Sequence, residues 1–346
     1  MQVVQRSACD ETSQEPVAFE AADPHVCRLI GIALLASGTG TQNANADATL
    51  ALDTAVRSWM QEHQIGAASL AVMKDNALNG SFGYGGMSPA KPARIASLSK
   101  AITAVCIARL IDEGRLSFTT PLGAVLAGAF NRVGEPIDPR FRAITIEQLL
   151  THRAGLAREA RQGPRVRDLN GMFAKIVLTP LEDNPGARMT YSNAGYQTLG
   201  VVAEVVTGNL YERQCGSTAL ARMKSSGAID PALRPRAASD GWRVSAIDYA
   251  KFIQVLDPDA GGLGNTSRAW QQGLAGNPAY GLGTFLRRTA QGTTFWHTGR
   301  VALRERGGSV TVKSGSGWTA VVIFDGDGRG GAPELRRRLD AALATP

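Results

Sequence analysis

Apolar and polar positions divide the chain into an early mixed stretch, a long helical middle and a late β-rich stretch. From Thr49 to Gln64 apolar residues recur at helical spacing, and AASLAVMK (Ala67 to Lys74) with a Gly-rich return ending near Gly85 predicts a β-hairpin. AITAVCIA (Ala101 to Ala108) is apolar almost all round, which predicts a helix buried on every side; Arg109, Asp112 and Glu113 restore polarity and Gly114 supplies a stop. From Leu116 to about Leu256, helical segments (Thr145 to Leu150, Asn193 to Val206, Ser245 to Leu256) alternate with Gly, Pro and Asp turns. Strand patterns return at Tyr280 to Arg288, Thr293 to Val301, Gly308 to Lys313 and Trp318 to Phe324, with Gly315 to Gly317 as a turn. Glu334 to Leu343 closes as a helix. The pattern predicts an α/β (α+β) fold, with one antiparallel sheet built from both ends of the chain, flanked by helices, plus an all-helical lobe and a cleft between them. The expected division is a leader (1–46), a discontinuous sheet domain (47–115 with 257–346) and a helical domain (116–256).

Composition narrows this picture. With 346 residues, 44% of them hydrophobic, the chain can bury a large core. No repeat or low-complexity block stands out, which argues against solenoid, coiled-coil and disordered architectures. Leu29 to Ala36 (LIGIALLA) follows Arg28 and precedes a small, polar stretch ending in Ala44, Asn45 and Ala46. This is signal-peptide grammar, so a periplasmic or secreted protein is expected. The run falls short of the ~20 residues of a membrane span, so no membrane anchor is expected. Asp10, Glu11, Glu15, Glu20 and Asp23 precede it where a secretory leader is basic, which points to a translation start downstream of Met1. The net charge of +7 favours polyanions in general, but no basic stripe interleaved with aromatics argues for nucleic acid. Cys9 and Cys27 would leave with the leader, and Cys106, inside the apolar helix, reads as a buried free thiol rather than a disulfide with Cys215. His63, His152 and His297 are scattered and no metal-ligand spacing occurs, so neither metal nor cofactor is expected.

The candidate chemistry begins with Ser97 and Lys100, an S-x-x-K tetrad at the head of the apolar helix. Residues three apart share a helix face, so the amine reaches the hydroxyl. An amine drawn into an apolar core loses hydration, which favours its neutral, proton-accepting form. A second match, Ser88 to Lys91, is flanked by Gly85, Gly86 and Pro92 and reads as a loop. Tyr191 and Asn193 form Y-x-N where a loop enters a helix; a tyrosinate beside an ammonium is a candidate general base, and Asn193 can accept from Lys100 and donate to a substrate carbonyl. His297, Thr298 and Gly299 follow the strand TTFW and would present a polar strand edge to the cleft. Lys313 to Gly315 (KSG) reads as turn chemistry, and His152 as structural.

These three motifs resemble those of serine β-lactamases and penicillin-binding proteins, in the class C-like branch that includes esterases and D-amino-acid peptidases. The stretches RIASLSKAITA, ITIEQLLTHRAGL, PGARMTYSNAGYQTLG, SAIDYAKF and YGLG look like that branch too, over about Thr49 to Leu343. The resemblance implies a β-lactamase/transpeptidase-like fold and a small-molecule ester, β-lactam or peptide substrate. Ser97 would attack its carbonyl, Tyr191 and Lys100 would share the proton work, and the backbone N–H groups of Ser97 and Arg300 would form the oxyanion hole. It also marks a departure. Members that destroy β-lactams usually carry lysine where this chain has His297, a ring mostly neutral at pH 7, which favours an esterase or peptidase over a β-lactamase. A non-turnover penicillin-binding sensor or binding module is the other alternative. Arg300, Arg304 and Arg306 are candidates either to bind a substrate carboxylate instead or to guard a strand edge with charge.

Overall fold

The computed structural model describes residues 36–257, 262–302, 306–326 and 331–344. Residues 29–35 of the expected leader, Cys9, Cys27 and Arg304 lie outside them. After α1 (Ala36–Glu62), strands β1 (Ala67–Lys74) and β2 (Ala77–Tyr84) form the hairpin; β3 (Ala93–Arg94), β4 (Ala228–Ile229) and β5 (Trp242–Val244) follow, with β6 (Ala279–Gly281), β7 (Thr284–Thr289), β8 (Gly292–Ala302), β9 (Arg306–Lys313) and β10 (Trp318–Asp325) late in the chain. Seven strands make one antiparallel sheet in the order β2-β1-β10-β9-β8-β7-β6, and β3-β5-β4 form a small second sheet. The mixed α/β architecture with a large antiparallel sheet is the one expected.

Strand alternation sorts the side chains between two cores. Leu70 and Val72 of β1, Val310 and Val312 of β9 and Val322 of β10 pack beneath Leu52, Val56 and Trp59 of α1 and Leu335 and Leu339 of the C-terminal helix (Gly331–Ala344). Ala71, Met73, Val321 and Ile323 face the other way, into the core built on α2 (Ser99–Asp112). Every residue of α2 from Ser99 to Ala108 is buried, as its unbroken apolar run requires. Gly114 takes a left-handed φ of 72° just past its end.

Two expectations are corrected. Tyr280 to Arg288 is not one strand: Leu282 and Gly283, with φ of 47° and 78°, form a tight turn between β6 and β7, pairing Gly281 with Thr284. A methyl on Gly283 would lie 2.3 Å from the Ala101 backbone nitrogen, so this hairpin sits directly on the backbone of α2. Cys106 is not a free thiol either. It is bonded to Cys215, whose helix (Tyr211–Cys215) packs on α2 with the two Cα atoms 5.2 Å apart, a juxtaposition across 109 positions that local pattern does not carry. Closing so long a loop restricts the unfolded chain, and reduction is expected to cost about 2–5 kcal/mol. A thermal melt with and without dithiothreitol checks this, and unchanged midpoints would contradict it.

Candidate active site

The nucleophile candidate is carried by a turn rather than by the helix itself. Ala96–Leu98 form a 3₁₀ turn that runs directly into α2, and Ala96 has φ 48°, a left-handed conformation that is costly for a residue with a Cβ. In 3₁₀ geometry residues three apart eclipse, which keeps Ser97 and Lys100 on one line despite the change of helix type. The turn is held from outside by Ser309 Oγ, which donates to the Ile95 carbonyl at 2.6 Å, and by the Ile95 N–H, which donates to the Trp242 carbonyl at 3.1 Å.

Lys100 is fully buried. Its Nζ donates to Asn193 Oδ1 at 2.6 Å, to the Ser239 carbonyl at 2.9 Å and to Ser97 Oγ at 3.4 Å, and lies 4.8 Å from the centre of the Tyr191 ring. All three donors are thus spent on neutral acceptors. Ser97, Lys100, Tyr191 and Asn193 therefore meet in one place, although 93 positions separate Lys100 from Asn193. The Tyr191 hydroxyl is buried and has no hydrogen-bond partner among the described residues. Such an orphan costs about 1–3 kcal/mol, which is tolerable where the group must receive a proton or a substrate.

The start of the Asn193–Thr207 helix positions Tyr191 and Asn193. Ser192 Oγ accepts from the Gly195 N–H at 3.0 Å as an N-cap and donates to the Ala157 carbonyl at 2.7 Å, while the Asn193 N–H donates to the Arg158 carbonyl at 2.8 Å. Asn193 Nδ2 donates to Glu159, so its amide bridges Lys100 to a carboxylate instead of pointing freely at a ligand. His152 Nδ1 accepts from the Ser192 N–H at 3.1 Å, and its ring packs at a tilt against Tyr191 and Tyr280, with centroids 4.4 and 4.5 Å away.

On the sheet side, β7 pairs with β8 only as far as Phe285 opposite Trp296. From His297 onward that edge of β8 is open to the Ser97 turn. Gly299 lies against the turn: a methyl there would sit 2.4 Å from Ser309 Oγ and 2.8 Å from the Ile95 carbonyl oxygen. A cavity of about 480 Å³ runs along this edge, lined by Tyr191, His297, Thr298, Gly299 and Arg300, with Arg158 and Phe285 among its other walls. A slightly larger cavity, about 540 Å³, surrounds Lys313 and Ser314 at the other end of the sheet. Lys313 is locked there in a 2.9 Å ion pair with Asp257, and the KSG stretch is a strand end and turn. Of these two cavities, the one along the β8 edge is the one that shares Tyr191 with the cluster around Lys100.

A sequence model of the Beta-lactamase family matches residues 52–345. The chain belongs to the Beta-lactamase family. Protein flp of Staphylococcus aureus (strain MRSA252) is 30% identical over 180 residues, 48% of this chain and 35% of that protein, so the chain spans about a third of the length of the curated relatives it matches. Among solved structures, SurE with D-Leu superposes with a TM-score of 0.70 at 22% identity, covering 86% of this chain and 76% of that one. A β-lactamase/D-alanine carboxypeptidase from Yersinia pestis complexed with citrate gives 0.69 at 16% identity, covering 86% and 97%. At these identities the likeness shows the fold. Membership of the Beta-lactamase family supports a serine-hydrolase type of function.

His297 distinguishes this Beta-lactamase-family chain. It is 3% exposed, and its Nδ1 lies 2.7 Å from the Thr298 carbonyl oxygen. A carbonyl only accepts, so the proton sits on Nδ1 and Nε2 accepts from the Tyr280 hydroxyl at 3.3 Å. Burial pushes the Tyr280 hydroxyl well above its usual range, which keeps it a donor. Burial, and after it the charge of Lys100, pushes His297 down to about 3, and the same causes hold His152 well below its usual range. Both rings are neutral in the folded state. Below pH 6.5 the unfolded chain binds protons that the folded chain refuses, so stability is complete above that pH and falls as pH drops, for His297 down to about 3. The expected slope is about 1.4 kcal/mol per pH unit for each ring. Urea unfolding between pH 7 and 4.5 checks it, and a flat profile would contradict the burial of the two rings.

Tyr280, His152, Ser239, Arg158 and Glu159 belong to the site without having been assigned a role in it from sequence. Only YGLG and LLTHRAGL carried a signal for them, as runs resembling the family.

Proposed function

We propose that the protein is a secreted serine hydrolase that cleaves esters or small D-amino-acid amides through an acyl-enzyme. The observation that carries this reading is the buried Lys100 ammonium 3.4 Å from Ser97 Oγ, beside a phenol without a hydrogen-bond partner. Ser97 Oγ bonds to the substrate carbonyl carbon as its proton passes to the phenolic oxygen of Tyr191, which enters the step as the tyrosinate beside the Lys100 ammonium. The carbonyl oxygen, now negative, is received by the backbone N–H groups of Ser97 and Arg300, a donor type worth roughly 2.7–4 kcal/mol in the transition state. The bond to the leaving group breaks, and the leaving group takes the proton. Water then attacks the acyl carbon, its proton goes to the same phenolic oxygen, and Ser97 is regenerated. Asn193 orients Lys100, and the His297–Gly299 edge holds the substrate. D-Leu in SurE, and the names of the carboxypeptidase relatives, support the D-amino-acid arm.

Neutral His297 disfavours the β-lactamase reading, because this position offers no permanent cation to the drug carboxylate. A panel of p-nitrophenyl butyrate, D-alanyl peptides and nitrocefin tests the assignment. Turnover of the first two is expected, and turnover of nitrocefin alone would replace the reading with β-lactamase. An adduct of penicillin or a fluorophosphonate on Ser97, seen by mass spectrometry and persisting without turnover of any substrate, would make the protein a sensor. Amino-terminal sequencing of exported protein, with a start near Asp47 expected, tests secretion.

A further inference from the structure

Lys100 has spent its donors and both ring nitrogens of His297 are engaged, so neither is free to receive an anion. Two arginines line the cavity, Arg300 on β8 and Arg158, and of these Arg158 stands over the Tyr191 ring. Its guanidinium lies 5.2 Å from the centre of the Tyr191 ring, on the wall of the cavity that contains His297, Thr298 and Gly299. It is exposed and makes no hydrogen bond or ion pair among the described residues, whereas its neighbour Glu159 is taken up by Asn193 and by Arg236 at 3.7 Å. Its backbone is pinned: the Arg158 carbonyl accepts from the Asn193 and Ala194 N–H groups, and the adjacent Ala157 carbonyl accepts from Ser192 Oγ. The cation is therefore held in register with the Y-x-N motif, one ring away from the reacting serine and lysine. The described wall of the cavity carries no carboxylate, and Phe285, Phe324 and Pro333 make part of it apolar.

We propose that Arg158 is the carboxylate anchor of this site, so that the substrate is an ester or amide carrying a carboxylate together with an apolar group. This rests on the hydrolase reading above for what happens to the bound molecule, but not for its binding. Arginine suits the role because its planar fork accepts a carboxylate in two parallel hydrogen bonds while its face stays stacked on the phenol.

The test is calorimetric and independent of turnover. N-acetyl-D-phenylalanine and its carboxamide differ only in the charge at the end of the molecule. The wild-type protein is expected to bind the carboxylate at least tenfold more tightly than the amide. Arg158→Gln is expected to bring that ratio close to one and Arg158→Lys to keep part of it, while Arg165→Gln, which removes an exposed charge farther along the same stretch, leaves it at the wild-type value. Because the ratio is taken within each variant, an effect of Arg158 on Tyr191 cancels. A wild-type ratio near one, a ratio that survives in Arg158→Gln, or an equal fall in Arg165→Gln overturns the proposal. Loss of p-nitrophenyl butyrate turnover with the ratio intact would instead overturn the hydrolase reading and leave this one standing.

Discussion

Replacing Ser97 with alanine is expected to lower kcat/KM for p-nitrophenyl butyrate and for D-alanyl peptides by about 10³-fold or more, equivalent to roughly 4 kcal/mol of transition-state stabilisation. The whole covalent route passes through one oxygen, and the residual rate would come only from polar groups around the carbonyl. Removing that oxygen should leave the fold intact. Ser97 is only partly buried, its hydroxyl receives a single long hydrogen bond from Lys100, and the turn that carries it is fastened through the Ile95 backbone rather than through the Ser97 side chain. The check is a rate assay paired with a thermal melt. Equal rates for the two proteins would end the assignment of Ser97 as nucleophile.

The second large effect is expected at Lys100→Met, which keeps the length and apolar stem of the side chain but removes its charge. Turnover should fall by about 10³-fold or more, because the base pair that handles the serine proton would lose its cation. Stability should change much less. Asn193 Oδ1 and the Ser239 carbonyl would each lose a donor, at about 1–3 kcal/mol apiece. That loss is offset because a charge held in the interior without a carboxylate contact no longer has to be desolvated. A spectroscopic signature separates this from general damage. Lys100 is the second cause of the low proton affinity of His297 and of His152, so its removal should raise both rings toward 6.5 while burial, the larger cause, keeps them below it. Histidine titration by NMR in wild-type and variant protein reads this, and unmoved rings would show that the ammonium does not act on them.

The legible parts of the molecule were those written in local spacing. The short apolar run AASLAVMK before a Gly-rich return placed β1 to the residue, and the distance of three between Ser97 and Lys100 survived even though a 3₁₀ turn replaced the first turn of helix. Contacts between distant stretches were not legible. Only Gly281 and Gly283 hint at a turn at Leu282 within a strand-like run, where Gly283 approaches the backbone of α2, and nothing near Cys106 announces Cys215. The left-handed Ala96 is likewise imposed from outside, where Gly299 and Ser309 press on the turn. Arg158 escaped notice because its partner is an aromatic face that only the folded chain brings to it. In each case a tertiary contact overrode or completed what local propensity stated.

The pairing of β1 with β10, Leu70 opposite Val322 along an unbroken register, has a consequence for a chain emerging from a ribosome. Ser97 and Lys100 leave the exit tunnel long before β10, the strand that stands next to β1 in the sheet. Until then β1 can pair only with β2, and the His297 edge has no fixed place from which to face Ser97. Joining such remote segments is slow and entropically costly, so the finished site is gained late and all at once. The cluster around Lys100 is thereby expected to gain its sheet-side wall only after β10 has been made.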